Sequence, residues 1–211
     1  MTLHEYLQGM KGKTAAVIGL GVSNRPLVEL LARNGVKVIA CDRKERAALG
    51  GAAAHYEALG AVLHLGEGYL RDLDADVVFR TPGMRPDVPE LLEAKAHGAV
   101  ITSEMEAFFA VCPCPIIGVT GSDGKTTTST ITAELLRAQG YTVHLGGNIG
   151  TPLFDRIFKP EVITLENGHT VTRPRSRTPL IALLVIAALA ISVHVTGFNL
   201  AIIAKRANQL T

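Results

Sequence analysis

The chain has no tryptophan among its 211 residues, and aromatic side chains make up only 5% of it. Neither sign of charge dominates: 21 Lys and Arg face 19 Asp and Glu, a formal net charge of +2. Without a dense basic stripe interleaved with aromatics, the footprint of a nucleic-acid surface is missing, and no nucleic acid is expected. Cysteine is scarce, with Cys41, Cys112 and Cys114 the only three. Three cysteines make no disulfide framework, and Cys112-Pro113-Cys114 is too tight for the usual zinc pair. Reduced thiols in a cytosolic setting are expected. The N-terminus, Met1-Thr2-Leu3-His4-Glu5-Tyr6, has no basic stretch followed by an apolar one, which argues against a cleaved secretory signal. Apolar residues are plentiful at 47%, enough for one large core or two small ones.

What is there alternates. Apolar runs at 14–19, 37–41, 61–65, 76–79, 100–102, 116–119 and 142–145 read as strands. Between them, 24–34, 46–59, 88–97, 104–110 and 127–139 carry helical patterns, with Pro26 allowed in a first turn and Gly35, Gly60 and Gly98 as stops. Strands alternating with helices predict parallel sheets covered on both faces.

Two glycine loops stand at strand ends. The stronger signal is Gly118-Val119-Thr120-Gly121-Ser122-Asp123-Gly124-Lys125-Thr126-Thr127-Thr128, between an expected strand and an expected helix. Such a loop aims several backbone N–H groups at one point, and the helix N-terminus adds positive potential. Lys125 can then reach the β- and γ-phosphates of ATP, and the Thr126 hydroxyl can ligate Mg²⁺. The spacing departs from the common G-x-x-x-x-G-K-[ST] form: Val119 stands where its first glycine belongs, and Gly118 is one residue early. The alternative is a loop that only turns a strand into a helix. The weaker signal is Gly19-Leu20-Gly21-Val22-Ser23-Asn24, a G-x-G-x-x-N that lacks the third glycine of the dinucleotide fingerprint. Asp42, at the end of the next strand, lies where a ribose-binding acid belongs, and the pair points to a nucleotide or nucleotide-sugar ligand. Thr81-Pro82-Gly83-Met84 follows a further strand; it is either part of a ligand-binding edge or a plain Pro-Gly turn.

Taken together, the first 157 residues or so resemble the N-terminal half of a Mur ligase, most closely the D-glutamate-adding branch. The matching pieces are Ile18-Gly19-Leu20-Gly21-Val22-Ser23, Asp42-Arg43, Thr81-Pro82-Gly83-Met84, Ser103-Glu104-Met105-Glu106, the Gly118 to Thr127 loop, and Gly146-Gly147-Asn148-Ile149-Gly150. The early loop spacing is also that family's. The resemblance implies an α/β chain with a Rossmann-like UDP-substrate domain over 1–100 and the start of a P-loop ATPase domain over 101–157. It implies that Gly21, Val22, Ser23, Asp42 and Arg43 hold the UDP part of the substrate, and that Asn148 contacts the substrate near the phosphate site. Thr120, Gly121, Ser122, Asp123, Gly124, Lys125, Thr126 and Thr127 would hold ATP, with Thr126 the metal ligand. The implied reaction is an ATP-dependent amide ligation in peptidoglycan precursor synthesis: the carboxylate of UDP-N-acetylmuramoyl-L-alanine takes the γ-phosphoryl group, and the amine of D-glutamate displaces phosphate.

After roughly residue 157 the resemblance stops. The stretch 158–179 reads as a linker containing Thr172-Arg173-Pro174-Arg175-Ser176-Arg177-Thr178-Pro179. Glu166 stands before Asn167-Gly168, either an ordinary turn acid or a stand-in for the family's acidic metal ligand. The uncharged stretch 180–204 would be roughly 37 Å long as a helix, enough to span a bilayer, and basic residues flank both ends. It is expected as one transmembrane helix, tethering cytoplasmic domains to the inner membrane, with a buried core helix as the alternative. The tail 158–211 is similar to the N-terminal segment of phosphonate ABC transporter permeases through its Leu-Glu-Asn-Gly, Arg-Ser-Arg-Thr-Pro-Leu and Val-Thr-Gly-Phe runs. The chain therefore reads as composite: a truncated ligase, inactive alone, or a non-catalytic nucleotide-binding module held at a membrane. A folylpolyglutamate-type ligase is a third reading, against which the front UDP-type domain argues.

Overall fold

A computed structural model describes residues 1–21, 24–121 and 123–147, together with strands at 161–164, 170–173, 180–185 and 201–205. The chain divides into two compact units, Met1–Val111 and Cys112–Thr211.

The first unit is a five-stranded, all-parallel sheet. Its strands are β1 (Thr14–Ile18), β2 (Lys37–Asp42), β3 (Val62–Leu65), β4 (Val77–Arg80) and β5 (Val100–Ser103), in the order β3-β2-β1-β4-β5. β1 sits at the centre, with Ala16 opposite Ile39 on one side and Val78 on the other. Its last four residues are all buried. A central parallel strand is covered on both faces, so it reads as a continuous apolar run and not as an alternation. The helices are α1 (Leu3–Met10), α2 (Arg25–Arg33), α3 (Arg46–Leu49), α4 (Gly51–Ala58), α5 (Pro89–Ala96) and α6 (Glu104–Val111). Part of the core joins Ile18, Cys41, Val78, Leu70 and Leu73 to Leu91 and Ala94 of α5.

Three features of this unit differ from the expectation. α1 was not expected, yet Leu3, Tyr6, Leu7 and Met10 stand at the spacing of one helix face, and the helix begins with a reciprocal cap. The Thr2 hydroxyl accepts from the Glu5 N–H at 3.2 Å, and the Glu5 carboxylate accepts from the Thr2 N–H at 2.8 Å. The single helix expected over 46–59 is two, broken at Gly50 (φ +54°, ψ −134°), a backbone conformation open to glycine. Arg46 and Glu57 pair from one piece to the other. Third, the stretch 101–111, assigned from sequence to the second domain, belongs to the first unit, because β5 pairs with β4 and α6 packs on β5.

The second unit contains β6 (Ile116–Thr120), α7 (Lys125–Ala138) and β7 (Thr142–Gly147). Val119, Ala133 and Val143 form the centre of its apolar cluster. The remaining strands come from the tail. Within the expected linker, β8 (Glu161–Thr164) and β9 (Thr170–Arg173) pair antiparallel. β10 (Leu180–Val185) and β11 (Ala201–Lys205) complete a four-stranded sheet of order β11-β6-β10-β7.

The expected transmembrane helix over 180–204 is therefore corrected: both described ends of that stretch are strands. β10 runs parallel to β6 and β7, with Leu183 opposite Ile117 and Leu145. Leu180-Ile181-Ala182-Leu183-Leu184-Val185 is a continuous apolar run, and such a run suits a strand paired on both edges as well as it suits a helix. Among the described residues no helix is long and apolar enough to cross a membrane. The central part of the stretch, 186–200, lies outside the described residues, as does Glu166.

Candidate functional sites

In the first unit the strand order reverses at β1, between β2 and β4. The crevice at the carboxyl ends of strands flanking such a point is where open α/β sheets take ligands. Gly19 follows β1 with φ +85°, and a Cβ built on it would lie 3.2 Å from the Thr81 Cβ. The turns after β1 and β4 therefore approach closely, and the positive φ at that point favours glycine. Asp42 ends β2 with its carboxylate committed to backbone: Oδ2 accepts from the Leu20 N–H at 2.7 Å and Oδ1 from the Lys44 N–H at 2.8 Å. It braces the glycine turn from across the sheet edge. Arg43, the next residue, is exposed, and so is Gly21, where an added Cβ would meet nothing within 4 Å. Thr81-Pro82-Gly83-Met84 closes a turn in which the Met84 N–H donates to the Thr81 carbonyl at 3.0 Å, and Arg80 donates to the Met84 carbonyl at 3.0 Å. Val22 and Ser23 lie outside the described residues.

Asn24 is the part of this site whose role sequence reasoning missed. It stands where the fingerprint wants its third glycine, and it is 2% exposed. Its Nδ2 donates to the carbonyls of Ile18 at 2.9 Å and Gly19 at 3.0 Å. The amide thus ties the start of α2 to the end of β1, a job the fingerprint leaves to close backbone packing. The signal was legible: Asn at a helix start is a residue that bonds nearby backbone.

Ser103-Glu104-Met105-Glu106 carries β5 into α6. The Ser103 hydroxyl accepts from the Glu106 N–H at 3.2 Å, and the Thr102 hydroxyl donates to the Glu106 carboxylate at 2.9 Å. Glu104 is 6% exposed, and burial pushes its carboxyl up to about 7.

In the second unit, β6 leads through the glycine loop into α7. Gly124 is the N-cap residue, in the left-handed conformation at φ +72°, ψ −3°. Gly124 has no side chain with which to cap the first turn of α7. An α-helix leaves the N–H groups of its first turn without intrahelical partners, so this end presents donors outward. Thr126 and Thr127 are exposed on that turn, as is Asp123 before it. Lys125 curls back over the loop, its Nζ donating to the Gly121 carbonyl. Deeper in the helix, Ser129 and Thr132 donate to the carbonyls of Lys125 and Thr128, each at 2.7 Å. Of the residues predicted here, Thr120, Gly121, Asp123, Gly124, Lys125, Thr126 and Thr127 fall on one strand–loop–helix turn; Ser122 and Asn148 lie outside the described residues.

The fold and these turns define the class: an α/β chain with a doubly wound first unit and a strand–loop–helix second unit. Within that class, the chain is similar to the N-terminal part of Mur ligases. It is 54% identical over 149 residues to a UDP-N-acetylmuramoylalanine--D-glutamate ligase of Clostridium botulinum (strain Hall), a match covering 70% of this chain and 32% of that protein. Against the enzyme of the same name from Clostridium novyi (strain NT), identity is 49% over 157 residues, covering 74% of this chain and 34% of that one. The chain thus spans about a third of the length of the curated relatives it matches. No family model matches it. Among solved structures, UDP-N-acetylmuramate:L-alanyl-gamma-D-glutamyl-meso-diaminopimelate ligase from Neisseria meningitides aligns with a TM-score of 0.44 at 22% identity, covering 82% of this chain and 52% of that one.

Proposed function

We propose that the chain is a two-site nucleotide-binding portion of a D-glutamate-adding Mur ligase. The second unit takes the phosphates of ATP with Mg²⁺, and the first takes the uridine nucleotide part of UDP-N-acetylmuramoyl-L-alanine. The observation that carries the reading is the strand–loop–helix turn itself, with Gly124 in the left-handed conformation ahead of Lys125 and Thr126 at the start of α7. The donor set suits a phosphate: backbone N–H groups, one cation and hydroxyls, arranged at the positive end of a 14-residue helix. Lys125 and the first-turn N–H groups would hold the phosphates, and the Thr126 hydroxyl would ligate the metal. When bound, ATP supplies an activated phosphoryl group and Mg²⁺ offsets its charge. What the chain's own residues contribute is position. Gly124, in the left-handed conformation, turns the loop into α7, while the Ser129 and Thr132 hydroxyls are bonded to helix carbonyls. In the first unit, open space at Gly21 beside a turn braced by Asp42 and Asn24 suits close approach of a ligand, with Arg43 at its rim. An ATP site also favours a cytoplasmic setting, and D-glutamate would be the amine substrate of the complete enzyme.

Calorimetry on the whole chain tests the reading. Mg-ATP is expected to bind, and Lys125→Ala to weaken it about tenfold or more, at least ~1.4 kcal/mol. Equal affinity of the two proteins would make the loop a structural turn. Separately, UDP-N-acetylmuramoyl-L-alanine is expected to bind the same chain, and no heat at millimolar ligand would remove the first site.

A further inference from the structure

The second unit opens with two thiols held against each other. Cys112 and Cys114 have their Sγ atoms 3.3 Å apart, and the Cys112 thiol lies 3.6 Å from the Cys114 carbonyl. Both are reduced; Cys112 is partly exposed and Cys114 is buried. Pro113 between them fixes one backbone dihedral and shortens the search for this arrangement. Among the described residues no third His, Cys, Asp or Glu joins the pair into a metal-holding group. The sulfurs need only close from 3.3 Å to a bond of about 2.0 Å.

We propose that Cys112 and Cys114 form a redox-active dithiol, whose partner is a low-molecular-weight disulfide of the glutathione kind. The partly exposed member reacts first. Cys112 gives up its proton, its sulfur attacks one sulfur of the small disulfide, and a mixed disulfide forms as one small thiolate leaves and takes a proton. The Cys114 sulfur then attacks the Cys112 sulfur, giving the internal disulfide, and the second small thiol leaves with the Cys114 proton. Two protein thiols are oxidised and one small disulfide is reduced to two thiols. A ring closed over a single intervening residue is tight, and strained disulfides are the readily reduced kind, so the bond is reversible. Cys41 stands outside this chemistry. It is fully buried in the first unit, and burial together with the Asp42 charge pushes its thiol up to about 12, away from the reactive thiolate.

The whole chain, reduced and freed of reductant, is treated with oxidised glutathione, then unfolded for thiol counting and peptide mass analysis. Thiols are expected to fall from three to one, with a peptide lighter by two hydrogens spanning Cys112 and Cys114, no retained glutathione, and full recovery in dithiothreitol. Cys114→Ser is expected to trap glutathione on Cys112 instead. Ring closure is expected to be about tenfold or more faster in the folded chain than in urea, since the fold holds the sulfurs together. A wild-type count that stays at three, a stable glutathione adduct on the wild type, a disulfide between two chains, or equal rates folded and unfolded would each overturn the proposal.

Discussion

Asp42 shows how one residue type serves two readings. Its place at the end of β2 suggested a ribose partner, and the structure gives its carboxylate to the N–H groups of Leu20 and Lys44. The two roles meet in one experiment. Asp42→Ala leaves two donors without their acceptor, which costs about 1–3 kcal/mol, and it loosens the turn that would receive the ligand. Urea unfolding is expected to show the stability loss, and calorimetry a parallel loss of uridine-nucleotide affinity. Unchanged stability would contradict the brace. Glu104 offers a second test, through pH. Its folded-state value of about 7 stands above the ordinary 4.5 because burial penalises the charge. As pH rises from about 4.5 toward 7 the unfolded chain releases this proton while the folded one keeps it, so stability falls across that window and levels off above it. Glu104→Gln is expected to flatten the fall, by about 2–4 kcal/mol between its ends. Unfolding free energies at pH 4.5, 6 and 8 would check this, and parallel curves for the two proteins would contradict it.

At the scale of elements, strands and helices of the first unit were readable because each has its own punctuation. Pro26 opens α2, Gly35 and Gly98 follow helix ends at φ +77° and +99°, and Gly60 does so at +83°. The break at Gly50 was not readable, since a Gly-Gly pair inside an apolar pattern fits a continuous helix as well as a kinked one. The stretch 180–204 failed for a related reason. Length and flanking charge favoured a helix, but a run of Leu, Ile, Ala and Val does not declare its period, and sheet edges on β6 and β7 decide for a strand. Leu183→Pro tests that pairing. Proline removes the N–H from a strand bonded on both sides, and a neighbouring carbonyl left unmet costs about 1–3 kcal/mol. A lowered thermal midpoint is expected; the same substitution would be silent if 180–185 were not a central strand.

Taken as a whole, the chain has two turns proposed to bind nucleotides and spans about a third of the length of the ligase relatives it matches. Binding is not turnover. Ligation needs charge placed around the transferring phosphoryl group and an amine held in line. Each ~1.4 kcal/mol of that stabilisation is worth tenfold in rate, and the matched 149 residues correspond to 32% of the Clostridium botulinum relative. These 211 residues by themselves are therefore expected to release no phosphate above background with UDP-N-acetylmuramoyl-L-alanine, D-glutamate, ATP and Mg²⁺. Turnover near one per second that is lost in Lys125→Ala would show that the tail strands rebuild what the matched region lacks.

The amino-acid sequence alone determined the α/β class, the strand–loop–helix at 116–138, and the pairing of a glycine turn with Asp42, because each is a local pattern with a local cause. Only tertiary structure decided that Asp42 grips the turn's own backbone, that Thr81 lies close against Gly19, and that β10 lies between β6 and β7. Those outcomes depend on partners 22 to 66 residues apart in the chain. A hydrogen-bonding group or an apolar run states what it needs, and only the fold states which distant neighbour supplies it.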